Sequence, residues 1–216
     1  MQRRKTARAV LAALTLVFIV ASRASAQEGE ATRPQGGPPS RAEINYEVHL
    51  YLLVTAEAAE GAPKPPQALD AVVRQLKVAL PPADYRLAAA FINRVKDGGS
   101  LEVRSMGFAS PNPVRGANGY LSPTSFQLSL SGVKLIDPSS PQLFINIQQF
   151  RFGMKVPLQT AAVTDDKAGR PVIQYEDAGV STMLSVRDGE PTLVGTLNTS
   201  GPGQNFVVVL TVRRMR

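Results

Sequence analysis

A strict period of two sets the first ordered stretch of this sequence. Ile44, Tyr46, Val48, Leu50, Leu52 and Val54 alternate with Asn45, Glu47, His49, Tyr51 and Leu53. Successive strand side chains point to opposite faces, so this run reads as a long strand with one buried face. Such a face needs a second layer to cover it, and the rest of the sequence must supply that layer.

The period changes after a Pro/Ala/Gly loop at Glu60 to Pro65. Leu69, Val72, Val73, Leu76 and Leu80 fall on one stripe of a helix, with Asp70, Arg74 and Lys77 on its back. Pro66 suits the first turn and Pro81-Pro82 end it. This stripe predicts one helix, at about 66–80, lying on one face of a sheet. Everything beyond it is strand-like. Tyr85 to Val95 and Leu101 to Phe108 flank Lys96-Asp97-Gly98-Gly99, which reads as a hairpin turn. Phe126, Leu128 and Leu130 alternate, as do Leu143, Ile145 and Ile147. Phe150, Phe152, Met154 and Val156 resume on the opposite parity, which predicts a β-bulge at Gln148-Gln149. Phe206 to Val212 is an unbroken apolar run, expected of a strand covered on both faces. One helix and about nine strands with short turns give an α+β class, mainly antiparallel β-sheet with one packed amphipathic helix. No tandem repeat at fixed period is visible.

The domain plan follows from composition. Met1 to Ala26 has the succession of a secretory signal: a basic cluster (Arg3, Arg4, Lys5, Arg8), an apolar run from Ala9 to Ala21, and a small-residue cleavage site at Ala24-Ser25-Ala26. The apolar run of about 13 residues is shorter than the roughly 20 a membrane span needs. Cleavage after Ala26, with Ala24 and Ala26 as the recognised small residues, is therefore expected. Residues 27–41 carry no aliphatic side chain larger than Ala and read as a disordered tether. Residues 42–216 form the α+β domain, which could subdivide into 42–109 (β-α-β-β) and 120–216 (all β). The expected location is periplasmic or secreted, in a bacterial cell.

Charge and residue usage exclude several chemistries. Five of the 24 basic residues and none of the 17 acidic ones lie in the signal, leaving 19 against 17, a net +2. No nucleic-acid partner is expected at that charge, and Arg213-Arg214-Met215-Arg216 reads as a solvated chain end. The absence of cysteine removes disulfides, thiolate metal sites and thiol nucleophiles. An exported chain without disulfides depends on its apolar core, which about 190 residues can supply. His49 is the one histidine, so any Ser/His/Asp triad must use it. Glu47, Glu102, Glu176 and Asp177 could pair as carboxylates, but nothing except charge recommends them. Asp165-Asp166 lacks the spacing of a calcium loop. Gly98-Gly99, Gly116 and Gly201-Pro202-Gly203 do not lie between a strand and a helix, as a phosphate loop requires. With no tryptophan, 5 tyrosines and 8 phenylalanines, a stacking groove is disfavoured. No catalytic, metal or cofactor residue is therefore assigned, and no cofactor is expected.

Ser181-Thr182-Met183-Leu184-Ser185-Val186-Arg187-Asp188-Gly189-Glu190-Pro191-Thr192-Leu193-Val194-Gly195-Thr196-Leu197 resembles the strand–Asp-Gly–strand hairpin of bacterial secretins. The Phe206 to Val212 run is similar to the hydrophobic strand late in that family's sheet, so the likeness covers about residues 181–212. The β-α-β-β region is similar to the small α/β modules that precede the secretin barrel. The chain lacks the family's Pro-rich, Leu/Gly-containing segment after the hairpin and is too short to add long barrel strands. The resemblance implies an accessory subunit of a secretion or pilus apparatus.

Three readings follow. One is an exported, non-enzymatic domain that binds another envelope protein and has no membrane span once the signal is removed. The second is the secretion-apparatus subunit. The third is an envelope enzyme with a site of scattered carboxylates, serines and arginines, which a deep polar pocket gathering Glu47, His49 or Glu102 would favour.

Overall fold

The computed structural model describes residues 44–55, 63–79, 84–108, 114–116, 119–160, 172–200 and 205–215. The signal with Ala24 and Ala26, the tether, Leu80, Pro81-Pro82, Asp165-Asp166 and Gly201-Pro202-Gly203 lie outside them. The elements are β1 (Asn45–Thr55), a 3-10 turn (Gln67–Leu69), α1 (Asp70–Ala79), β2 (Tyr85–Lys96), β3 (Ser100–Gly107), β4 (Thr124–Leu135), β5 (Phe144–Thr160), β6 (Val172–Arg187), β7 (Thr192–Asn198) and β8 (Asn205–Arg214). The eight strands form two four-stranded antiparallel sheets, in the orders β2-β1-β8-β7 and β3-β4-β5-β6.

One apolar cluster draws buried side chains from both sheets. Tyr46, Val48, Leu50, Leu52 and Val54 of β1 share it with Phe126, Leu128 and Leu130 of β4, Phe150 and Phe152 of β5, and Phe206, Val208, Leu210 and Val212 of β8. The alternation in β1 thus sets one face against the second sheet. Its other face carries Leu53 into a smaller cluster beneath the helix, where Leu69, Val72 and Leu76 pack on Tyr85, Val207 and Val209. Val73 is partly buried there. The helical stripe is therefore seated on a sheet, as its spacing predicts. Strand β8 is inner to its sheet and loaded on both faces, which accounts for its unbroken run of valine and leucine.

The bulge expected at Gln148-Gln149 is present: pairing with β6 shifts between Ile147 and Phe150. Strand β4 carries its own irregularity opposite, at Gly132, whose φ is 62°. There the buried parity passes from Leu128 and Leu130 to Val133.

The two Asp-Gly turns are corrected by the topology. Both glycines take positive φ, 71° at Gly98 and 76° at Gly189, as tight turns require. Neither turn closes a hairpin, however, because β2 and β3 lie in different sheets, and so do β6 and β7. They are corners at which the chain passes between sheets. Each Asp-Gly pair bonds to flanking strands: Asp97 N donates to Ile44 O and Gly98 N to Val133 O, while Asp188 N donates to Leu143 O and Gly189 N to Val212 O. Breaking an up-and-down meander at two corners lets the inner faces approach and fill with large side chains.

These matched bonds reveal an internal two-fold relation that the sequence hides. The amides of Leu135 and Arg214 donate to the carboxylates of Asp97 and Asp188, at 3.4 and 2.7 Å. Ile136 N donates to Phe144 O and Met215 N to Asn45 O. Strands β1-β2-β3-β4 correspond to β5-β6-β7-β8, and the exchange turns each sheet order into the other. Tyr46, Val48, Leu50, Leu52 and Val54 match Ile145, Ile147, Phe150, Phe152 and Met154, the bulge absorbing the odd residue. The first two strands are linked through α1. Among the described residues, no helix covers the corresponding face of the second sheet.

Candidate functional site

Two places on the sheet surfaces gather polar side chains. The first is on the outer face of β1, where Glu47, His49 and Tyr51 follow one another at alternate positions. The Arg213 guanidinium donates to Glu47 Oε2 at 2.8 Å, and His49 Nε2 lies 3.2 Å from the same oxygen. His49 Nδ1 is 3.0 Å from the Tyr51 hydroxyl, with the rings edge to face. Nε2 is closed to solvent and faces that carboxylate without a well-aligned hydrogen bond. The Arg213 hydrogen bond holds the Glu47 carboxyl below its ordinary range, with a smaller contribution from His49.

The two ring nitrogens of His49 face Tyr51 and Glu47, and among the described residues no serine or threonine hydroxyl bonds to it. Glu102 belongs to β3 in the other sheet, where it pairs with Arg104 at 2.8 Å. Glu102 is therefore not gathered with Glu47 and His49. Glu176 caps Ser200 through the backbone amide and hydroxyl, and Asp177 lies 3.5 Å from Lys155. Among the described residues no group of three or more His, Asp or Glu could hold a metal ion.

The second place is a groove of about 860 Å³ on the outer face of the second sheet. Strand register builds it in three rows. Arg104, Gln127, Gly153 and Gly179 stand opposite one another in the middle row. Arg151 and Ser181 flank it on one side, and Met106, Ser125, Lys155 and Asp177 form the row on the other. Two adjacent glycines leave the middle row without side chains at β5 and β6, so the flanking rows become walls. Since β6 is the edge of its sheet, the groove opens at that edge and ends against Gln127 and Arg104. Two strand spacings give it a depth of roughly 10 Å.

The groove corresponds under the two-fold to the seat of α1. Tyr51 and Leu53, beside and beneath the helix, match Arg151 and Gly153. One face is apolar and covered by the chain's own helix; its counterpart is open and sets Arg104, Arg151 and Lys155 beside apolar surface that includes exposed Met106. Sequence reasoning missed this site. Its signal was two isolated glycines inside strand patterns, which register alone brings side by side.

No protein-family model matches the chain, and no curated protein matches it. Among solved structures, it aligns with a chain of the Klebsiella pneumoniae type II secretion system outer membrane complex at 10% identity and a TM-score of 0.30, covering 81% of this chain and 39% of that one. The Salmonella SPI-1 type III secretion injectisome secretin InvG aligns at 8% identity and TM-score 0.30, over 81% of this chain and 65% of that one. A chain of the Salmonella injectisome basal body gives 8% and 0.30, with 81% and 46% covered. The chain thus spans less than two thirds of each, and overlap at that TM-score does not establish a shared fold.

Proposed function

We propose that this protein is an exported, non-enzymatic interaction domain of the bacterial envelope that holds another envelope protein. The observation that supports this most directly is the open groove on the second sheet, at the position where the first sheet is closed by α1. A groove of that size, with basic and hydroxyl side chains set beside apolar surface, is suited to holding a segment of a partner by a few placed polar groups. The basic, apolar and Ala-x-Ala succession of residues 3–26 supports export, and the composition of residues 27–41 suits a flexible tether that lets the domain reach its partner. Glu47 and His49, the polar pair on which an enzyme reading would centre, are engaged with Arg213 and Tyr51.

The test is affinity capture from envelope extracts, comparing the parent with Gly153→Leu. Retention of one envelope protein by the parent and its loss with Gly153→Leu is the expected result. Equal retention by both would place the contact elsewhere, and retention of nothing would remove the interaction reading.

A further inference from the structure

We propose that the groove over Gly153 and Gly179 binds a carboxylate-bearing segment of a partner protein, an acidic peptide entering from the β6 edge. This rests on the interaction reading above and names the chemistry of its site.

Charge gives the sign of the occupant. The lining side chains include three bases, Arg104, Arg151 and Lys155, against one acid, Asp177. Arg104 and Lys155 have exposed ion pairs, with Glu102 at 2.8 Å and Asp177 at 3.5 Å. Exposed pairs of this kind are weak and exchange readily for a better-placed anion. Arg151 has no ion pair among the described residues, and its planar fork suits a carboxylate held in two hydrogen bonds. Ser125 and Ser181 add donors for a peptide's remaining oxygens, while the Gln127 amide already donates to Glu102 Oε1 at 3.4 Å.

The floor gives the shape. A Cβ placed on Gly179 would stand 2.8 Å from Phe152 O, so the backbone requires that glycine. Gly153 is different. It has no left-handed φ, and a Cβ built on it meets nothing within 4 Å. Neither backbone nor packing demands a glycine there, and glycine in a strand interior weakens the strand. What its absent side chain leaves is space above the floor, between Arg151 and Lys155. Such a position marks a close approach by another chain. Gln127 lies two strand spacings, roughly 10 Å, from the β6 edge, farther than one glutamate side chain reaches, so an acidic peptide must lie along the groove to meet Gln127 and Arg104.

The test uses the protein purified from its producing cell, with synthetic hexaglutamate as the probe and hexalysine and inorganic phosphate as comparisons. Saturable hexaglutamate binding that weakens as salt rises is expected, with no hexalysine binding and no displacement by millimolar phosphate. Gly153→Leu should weaken binding at least tenfold, and Arg151→Ala about tenfold, the loss of one charge-assisted contact. Neither should lower the unfolding midpoint, which separates loss of the groove from loss of the fold; Gly153→Ala is the milder companion. Absence of saturable binding, unchanged binding in Gly153→Leu, or equal competition by phosphate would each overturn the proposal. If capture from extracts retains a partner that Gly153→Leu also keeps, the groove is refuted while the interaction role stands.

Discussion

The Tyr46 hydroxyl donates to Asp97 Oδ1 at 2.7 Å, tying β1 of the first sheet to the corner through which the chain enters the second. The same oxygen lies 3.4 Å from the Leu135 amide of β4, so one carboxylate joins the two sheets. Burial, followed by the bond to Asp97, raises the Tyr46 phenol well above its ordinary value. The unfolded tyrosine ionises near pH 10, and the folded one does so later. Its contribution to stability is therefore complete below about pH 10 and falls as pH rises toward the folded value. Burial raises Tyr85 in the same sense. Tyr46→Phe should cost about 1 kcal/mol at neutral pH, for one hydrogen bond, and should flatten the alkaline loss of stability. Urea midpoints measured from about pH 8 to pH 11 give both results. Parallel curves for parent and variant would show that Tyr46 does not carry the alkaline dependence.

Leu76 and Arg74 test the seating of the helix. Leu76 is buried on Leu53, Val207 and Val209, whereas Arg74 is exposed and returns a 3.4 Å bond to Asp70 O. Leu76→Ala should cost about 2–5 kcal/mol and Arg74→Ala under about 0.5 kcal/mol. Equal costs in chemical denaturation would mean that the stripe does not face a core.

The fold was readable in the sequence wherever one side chain's neighbour along the chain decides its environment. Alternation from Ile44 to Val54 fixed a face, the stripe from Leu69 to Leu76 fixed another, and the parity break after Ile147 exposed the bulge. The Phe206 to Val212 run showed a doubly covered strand. The Asp-Gly turns show where this ends. Asp97-Gly98 and Asp188-Gly189 have the chemistry of tight turns, but local chemistry is the same whether the next strand pairs with the last or leaves for another sheet. Partner choice rests on long-range packing, so local sequence alone reads these corners as hairpins. The secretin-like likeness of residues 181–197 has the same basis: it matches a turn whose flanking strands do not pair in this protein. The groove was hidden for a related reason. Gly153 and Gly179 are 26 positions apart, and only the β5–β6 register makes them neighbours.

Glu47 provides an acid-side counterpart to Tyr46. The Arg213 hydrogen bond is the largest cause of its lowered carboxyl, with His49 a second. A depressed carboxylate lends stability above its unfolded value and loses it as pH falls through the folded value. Arg213→Ala should raise the Glu47 carboxyl toward the ordinary range, partly rather than fully, because His49 remains 3.2 Å away. Side-chain carbonyl NMR titration measures this directly. An unchanged midpoint would mean that the bond from Arg213 is not maintained in solution.

Gly132 and Gln148 make the sharpest prediction, because two costs at one position can be separated. Gly132 and Gly189 both hold left-handed backbone, at φ 62° and 76°. Alanine at either site suffers a backbone penalty on the order of 1–2 kcal/mol. At Gly189 the added Cβ finds only Arg213 Cγ, at 4.0 Å, so the backbone penalty should be the whole cost. At Gly132 it would stand 2.5 Å from Gln148 Oε1 and 2.7 Å from Gln148 Cγ, forcing that side chain out of the bulge. Gly132→Ala should therefore cost more than Gly189→Ala. Adding Gln148→Ala should remove the excess and leave the backbone penalty, a coupling within about 0.5–3 kcal/mol for residues in contact. Equilibrium unfolding of the two singles and the double completes the cycle. If the double variant is no more stable than the sum of the singles allows, the excess at Gly132 lies in the β4 backbone and the Gln148 side chain has no part in it.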